Sequence, residues 1–166
     1  MAQLIIESKE IYFKNFRGRE LPYNPAGKRT FWVRIDGRKA KKLKKEGWSI
    51  KEIYINEAKT KKRWCLPVTI YESLHDTTVN SRVYANISIG NRDRQYLQRR
   101  LNRDSIGLLD VASITRSQLN IFGYKWDIGG KQVMKAYLRS GDFYISDTIP
   151  VTKLIDFLEK DGFAKW

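Results

Sequence analysis

The sequence predicts a mainly β fold, a small antiparallel barrel or strongly bent sheet with two or three short helices. Three features predict it. Short runs rich in β-branched and aromatic residues recur between turn residues. No internal repeat or low-complexity linker divides the chain, so residues 1–166 read as a single domain. A hydrophobic fraction of 42% with a mean hydropathy of −0.54 describes a chain that can fill one core.

The elements follow in order. Residues 11–16 form the first clear strand. A loop then carries Gly18, Pro22, Asn24, Pro25 and Gly27 between positions 17 and 28. Residues 29–35 alternate as a strand. Asp36 is placed to cap a helix over 38–46, with Ala40 and Leu43 as its apolar stripe and Gly47 as its stop. Residues 50–55 form a strand, followed by a basic loop. Residues 64–71 put Trp64, Leu66, Val68 and Ile70 on one face, and Pro67 suggests an edge strand or a bulge. Residues 83–89 repeat the alternation, and 94–101 read as a short helix. Residues 119–128 and 131–138 flank Gly129-Gly130, a two-residue hairpin signal. A short strand over 143–145 and a helix over 152–161 complete the set. An OB-like antiparallel β-barrel with a C-terminal helix fits this order best.

Charge points to the ligand. The chain has 32 Lys/Arg against 18 Asp/Glu, a net charge of +14, and such a field attracts polyanions. The excess is uneven. Residues 1–63 hold 18 Lys/Arg against 7 Asp/Glu, residues 64–140 hold 11 against 6, and residues 141–166 hold 3 against 5. The ligand face is therefore expected in the first half and the middle of the chain.

Strand parity separates core from surface. In residues 29–35, Phe31, Val33 and Ile35 face the core, leaving Thr30, Trp32 and Arg34 outside. An outward Trp beside an outward Arg suits a base stacked on the ring with its phosphate on the guanidinium. The same parity turns Tyr54 and Tyr84 outward, so that three neighbouring strands would present Trp32, Tyr54 and Tyr84 on one face. The competing arrangement covers that face with the C-terminal helix. Two basic loops frame it: Arg17, Arg19, Lys28 and Arg29 with Tyr23, and Lys59, Lys61, Lys62 and Arg63. Trp64 belongs to the core face, and Trp48 reads as an anchor after the helix. Trp126, with Tyr124 and Lys125 near the hairpin tip, is either a clamp on a strand or simple packing. The helix Lys/Arg and the group Arg92, Arg94, Arg99, Arg100 and Arg103 are further basic blocks.

Other chemistry is poorly supplied. One His (His75) and one Cys (Cys65) cannot build a His/Cys zinc site or a disulfide. No phosphate-binding glycine loop is present. Asp104, Asp110, Asp127 and Asp142 are scattered rather than clustered as a metal-dependent nuclease requires. The expectation is a non-enzymatic protein with no cofactor and no metal. The N-terminus lacks the pattern of a secretory signal, and no apolar run is long enough to span a bilayer, so an intracellular site is expected.

Several spaced motifs carry a family resemblance. They are Asn15-Phe16-x-Gly18, then Tyr23-Asn24-x-x-Gly27-x-Arg29-x-Phe31-x-Val33, then Ala40-x-x-Leu43-x-x-x-Gly47-Trp48-x-Ile50-Lys51. Together with Leu66-Pro67-Val68 and Lys135-Ala136-Tyr137-Leu138, this order resembles single-stranded DNA-binding proteins of tailed bacteriophages. The resemblance is close over residues 11–70 and weak over 73–116. It implies an OB-like fold that coats single-stranded DNA in replication or recombination in the host cytoplasm, with self-association on DNA and replication or recombination proteins among its possible partners. Tyr23, Arg29 and Phe31 fall inside the matched motif. Many such proteins end in an acidic tail that recruits partners; residues 161–166 here are not of that kind. RNA remains an alternative ligand, and a small phage nuclease or an inhibitor of a host enzyme is the alternative from another class.

Overall fold

A computed structural model describes residues 2–70, 84–90, 95–101 and 105–146. The strands in chain order are β1 (Ala2–Ser8), β2 (Ile11–Asn15), β3 (Arg29–Arg34), β4 (Lys51–Tyr54), β5 (Lys62–Ile70), β6 (Tyr84–Gly90), β7 (Gln95–Leu101), β8 (Ile114–Ile128) and β9 (Lys131–Ser146). Helix α1 (Gly37–Lys45) lies between β3 and β4, and the single turn α2 (Leu108–Val111) precedes β8. The mainly β character is as the sequence predicts.

The nine strands form one sheet along the path β1-β8-β9-β5-β3-β2, with β4 added to β5 and the β6–β7 pair added to β9. It is a mixed sheet rather than the antiparallel one expected, because β9 runs parallel to both β5 and β6. It is also open: among the described residues no ladder joins β1 to β2. The sheet nonetheless bends strongly. Its two ends are separated in the chain by Lys9 and Glu10 alone, which can span at most roughly 11 Å. The closed OB-like barrel is thus replaced by a curled sheet with its seam unzipped.

Register gives the sheet one consistent inner face. Ile6 pairs with Leu119, Ile121 with Leu138, Val68 with Ala136 and Val33 with Leu66, and all eight are buried. Phe16, Phe31 and Phe143 form the aromatic centre of the core, with centroids 5.0 to 6.0 Å apart. Helix α1 plugs this face with Ala40 and Leu43. Its C-terminus closes as anticipated: Gly47 takes φ +100°, Trp48 N–H donates to the Leu43 carbonyl, and Gly47 N–H donates to that of Lys44. Asp36 occupies the N-cap position, but its side chain makes no capping hydrogen bond.

Other expectations change. Residues 95–101 form β7, not a helix, and ladder with β6. The Leu97–Leu101 spacing of four residues suits a helix turn, but it also preserves strand parity, and the ladder decides. Strand β1 is an addition to the expected set. The strands expected over 131–138 and 143–145 are one strand, β9, with Arg139 as the extra residue of a bulge between the Ile121–Leu138 and Asn120–Ser140 pairs. Pro67 lies in a central strand, at the point where one edge of β5 changes partner from β4 to β9, so no ladder bond needs its missing N–H there. The Gly129-Gly130 hairpin is present, with φ +57° and +82°. The helix expected over 152–161 lies outside the described residues.

Candidate nucleic-acid interface

The outer face of β3 begins with Trp32. Its neighbours Phe31 and Val33 are fully buried, while Trp32 is only half-buried. Pro67 of β5 sits opposite it in register, and Lys51 places its ammonium 5.8 Å from the ring centroid. A bulge between Tyr12 and Asn15 re-aims the end of β2. Phe13 in that bulge takes φ +50°, stays 57% exposed, and meets Trp32 edge-on at 5.8 Å. A bulky side chain held in the left-handed region and turned to solvent is a feature that clusters at binding sites.

These residues open onto a groove of about 560 Å³. Its lining includes Phe13, Tyr23 and Trp32 as aromatics and Lys14, Arg19, Lys28, Lys51 and Lys135 as cations, with no Asp or Glu. Tyr23 is 84% exposed. Lys14 is half-buried and its charge is already engaged: its ammonium donates to the Ala112 carbonyl at 2.8 Å, and burial lowers its pKa.

The loop over 16–28 that forms one wall is held from within. The Asn24 side-chain amide donates to the carbonyls of Arg19, Pro25 and Lys28. Asn15 both donates to the Arg19 carbonyl and accepts from its N–H. Asp110 accepts from the backbone N–H groups of Phe16 and Arg17. Gly18, at φ +67°, lets the loop close on itself, since a Cβ there would stand 3.0 Å from the Gly27 carbonyl carbon. Arg19, Tyr23 and Lys28 are therefore carried on a pre-shaped frame, which reduces the ordering cost of binding.

The outer face continues onto the long hairpin. Phe122, Tyr124 and Trp126 lie opposite Tyr137, Lys135 and Val133. Thr69 of the groove pairs with Tyr137, so all of these share Trp32's side of the sheet. Phe122, Tyr124 and Tyr137 form a cluster at 5.2 to 5.9 Å. Lys135 lines the groove and also sits 5.2 Å from the centroid of the exposed Trp126. It links the groove to the hairpin aromatics.

A family model described as "Putative phage ssDNA-binding domain" matches residues 1–159 of this chain. The chain belongs to that family. No curated protein sequence matches it. No helix among the described residues is long and apolar enough to cross a membrane, and no group of His, Cys, Asp or Glu there could hold a metal ion.

The residues expected at the interface of this phage ssDNA-binding domain divide into groups. Arg19, Tyr23, Lys28 and Trp32 line the groove. Trp126 joins it through Lys135. Arg34 lies on the outer face but is paired with Glu10, which lowers the Glu10 carboxyl pKa and raises that of the guanidinium. Arg29 turns inward and donates to the Phe16 carbonyl at 2.6 Å. Arg17 packs its side chain against Gly107, away from the groove lining. Arg63 donates to the Lys62 carbonyl, and Lys61 is exposed in the turn before β5.

The expected platform of three neighbouring strands does not form. β5 lies between β3 and β4, and β6 joins the sheet through β9. Register also puts Tyr54 on the other side: Lys51 pairs with Cys65 on the outer face, whereas Tyr54 pairs with Lys62 on the inner one. Lys125 likewise pairs with Met134, on the face opposite Trp126. Tyr84 opens β6, and its side chain lies outside the described residues. Sequence reading missed Phe13, Lys51 and Lys135. Lys51 is outward by the parity of β4, but its nearness to Trp32 depends on the β3-β5-β4 order. Phe13 reads as an ordinary strand residue, and nothing local marks its bulge.

Proposed function

We propose that this domain coats single-stranded DNA without strong sequence preference, in phage DNA replication or recombination, as a binding protein rather than an enzyme. The observation that carries this is the groove. Aromatic rings that any base can stack on stand beside cations, with no carboxylate in the lining. Stacking is worth about 1–3 kcal/mol per base. The cations Arg19, Lys28, Lys51 and Lys135 serve the phosphates, and the track runs on to Tyr124 and Trp126. Sequence tolerance follows because a π-face does not distinguish bases by hydrogen bonding. The curled sheet takes the place of an OB-like barrel wall, presenting one curved outer face to an extended strand.

The test is an equilibrium titration with single-stranded DNA, duplex DNA and RNA of equal length at two salt concentrations, read by Trp fluorescence. Single-stranded DNA is expected to bind tightest and to quench the emission. Tighter duplex binding without quenching would overturn the stacking model, and degradation of the substrate would point to the nuclease reading.

A further inference from the structure

A second basic surface lies away from the groove. Helix α1 buries Ala40 and Leu43, and Arg38, Lys41, Lys42 and Lys45 fall on its opposite face. Their spacing of i, i+3, i+4 and i+7 makes them one stripe along the helix. All four are exposed, and none forms an ion pair among the described residues. Like charges at these spacings destabilise a helix, and Arg38 adds a positive charge at its unfavourable N-terminal end. No acid lies in the first turn of the helix, and Asp36 at the N-cap makes no capping hydrogen bond. The other two cations are spent on attachment: Lys39 donates to the Ile5 carbonyl, and Lys44 lies over Trp64.

The side of the sheet on which α1 packs also carries an exposed aromatic residue. Trp64 and Tyr54 share the inner side of the sheet, where Lys62 stands 4.9 Å from the ring of the exposed Tyr54 and 3.6 Å from the Glu52 carboxylate. The α1 side thus also sets a cation beside an exposed aromatic, on the opposite side of the sheet from the groove, although here Glu52 shares that cation. A short strand seated on Trp32 does not reach it.

We infer that the outer face of α1 is a second nucleic-acid-binding surface, which holds the phosphates of a second stretch of single-stranded DNA while the groove holds the first. One molecule then bridges two segments. The inference takes the groove's ligand from the function proposed above, and the test separates the two.

The probes are two short oligothymidylates, one carrying a donor dye and one an acceptor, added to the full chain at low salt. The wild type is expected to give energy transfer and, in native mass spectrometry, one protein with two oligonucleotides. The triple variant K41E/K42E/K45E is expected to lose the transfer, keep the Trp quench within about twofold, and lower the salt slope by about 2, at about 0.7 for each phosphate no longer neutralised. The milder K41Q/K42Q/K45Q variant gives the same result in weaker form if charge reversal disturbs the helix. Retained transfer with an unchanged slope overturns the inference. So does a complex of two proteins with two oligonucleotides, or loss of the quench in step with the transfer. If the wild type itself shows no quench, the groove reading fails, and the α1 surface is then judged by whether the triple variant loses salt-sensitive binding measured by anisotropy.

Discussion

Phe13 holds a bulky side chain at φ +50° and exposes most of it to water, an arrangement that costs stability of order 1–3 kcal/mol. If that strain serves the ligand, replacement should separate stability from binding. Phe13→Gly is expected to raise the urea midpoint and to weaken single-stranded DNA binding by about 5- to 150-fold, the loss of one stacked base. Glu10 acts in the other direction, because it engages Arg34 on the outer face. Glu10→Gln frees that guanidinium, and affinity is expected to rise by up to about fivefold, an effect that fades with added salt. Tyr12 gives a pH signature. Burial pushes its hydroxyl up to about 12 from an ordinary 10.0. The folded state keeps this proton longer than the unfolded chain does. The associated stability is complete below pH 10 and is lost as pH rises towards 12. Tyr12→Phe should remove that part of the alkaline destabilisation, measured by urea unfolding across this range. Residue-scale parity was legible in the sequence: Phe31 and Val33 are buried, Trp32 is turned out, and Trp64 packs against the core. Phe13 was not legible, because a bulge leaves no local pattern in a run as ordinary as Ile11-Tyr12-Phe13-Lys14.

At the scale of elements, the loop over 16–28 depends on Asn24, whose buried amide serves three carbonyls. Asn24→Ala leaves those carbonyls without that partner. A loss of about 1–3 kcal/mol in unfolding free energy is expected, with weaker DNA binding although Asn24 itself carries no charge. Turn and cap chemistry was readable because it is local: Gly47 ends α1 and Gly129-Gly130 closes the hairpin, both through positive φ. Elements decided by distant partners were not readable. β7 is a strand because β6 pairs with it, and β9 continues through its bulge because β8 and then β6 flank it. Tyr54 illustrates the consequence for the site. Parity within β4 turns it away from Ile53, but only the β4–β5 register reveals which side of the sheet that is.

The described residues form a curled sheet with the groove on its outer face and helix α1 on its inner face, and cations lie on both sides. Arg19, Lys28, Lys51 and Lys135 line the groove, and if each neutralises one phosphate of a short strand confined there, the salt slope is about −3, at about 0.7 per phosphate. Longer strands that also engage α1 should show a steeper slope. Net charge was plain from composition and gave the ligand class. The proposed path of the strand was not, since it depends on Lys51, brought beside Trp32 by the β3-β5-β4 order, and on Lys135, which stands over Trp126 within the hairpin and reaches the groove through the pairing of β9 with β5. The central claim is that Trp32 is a stacking platform and not part of the core. The most direct measurement compares wild type with Trp32→Ala for a short single strand, with circular dichroism as the check on folding. The expected result is an unchanged fold, a loss of most of the fluorescence quench, and binding weaker by about 1–3 kcal/mol. An unfolded variant, or a folded one that binds and quenches as the wild type does, would contradict it.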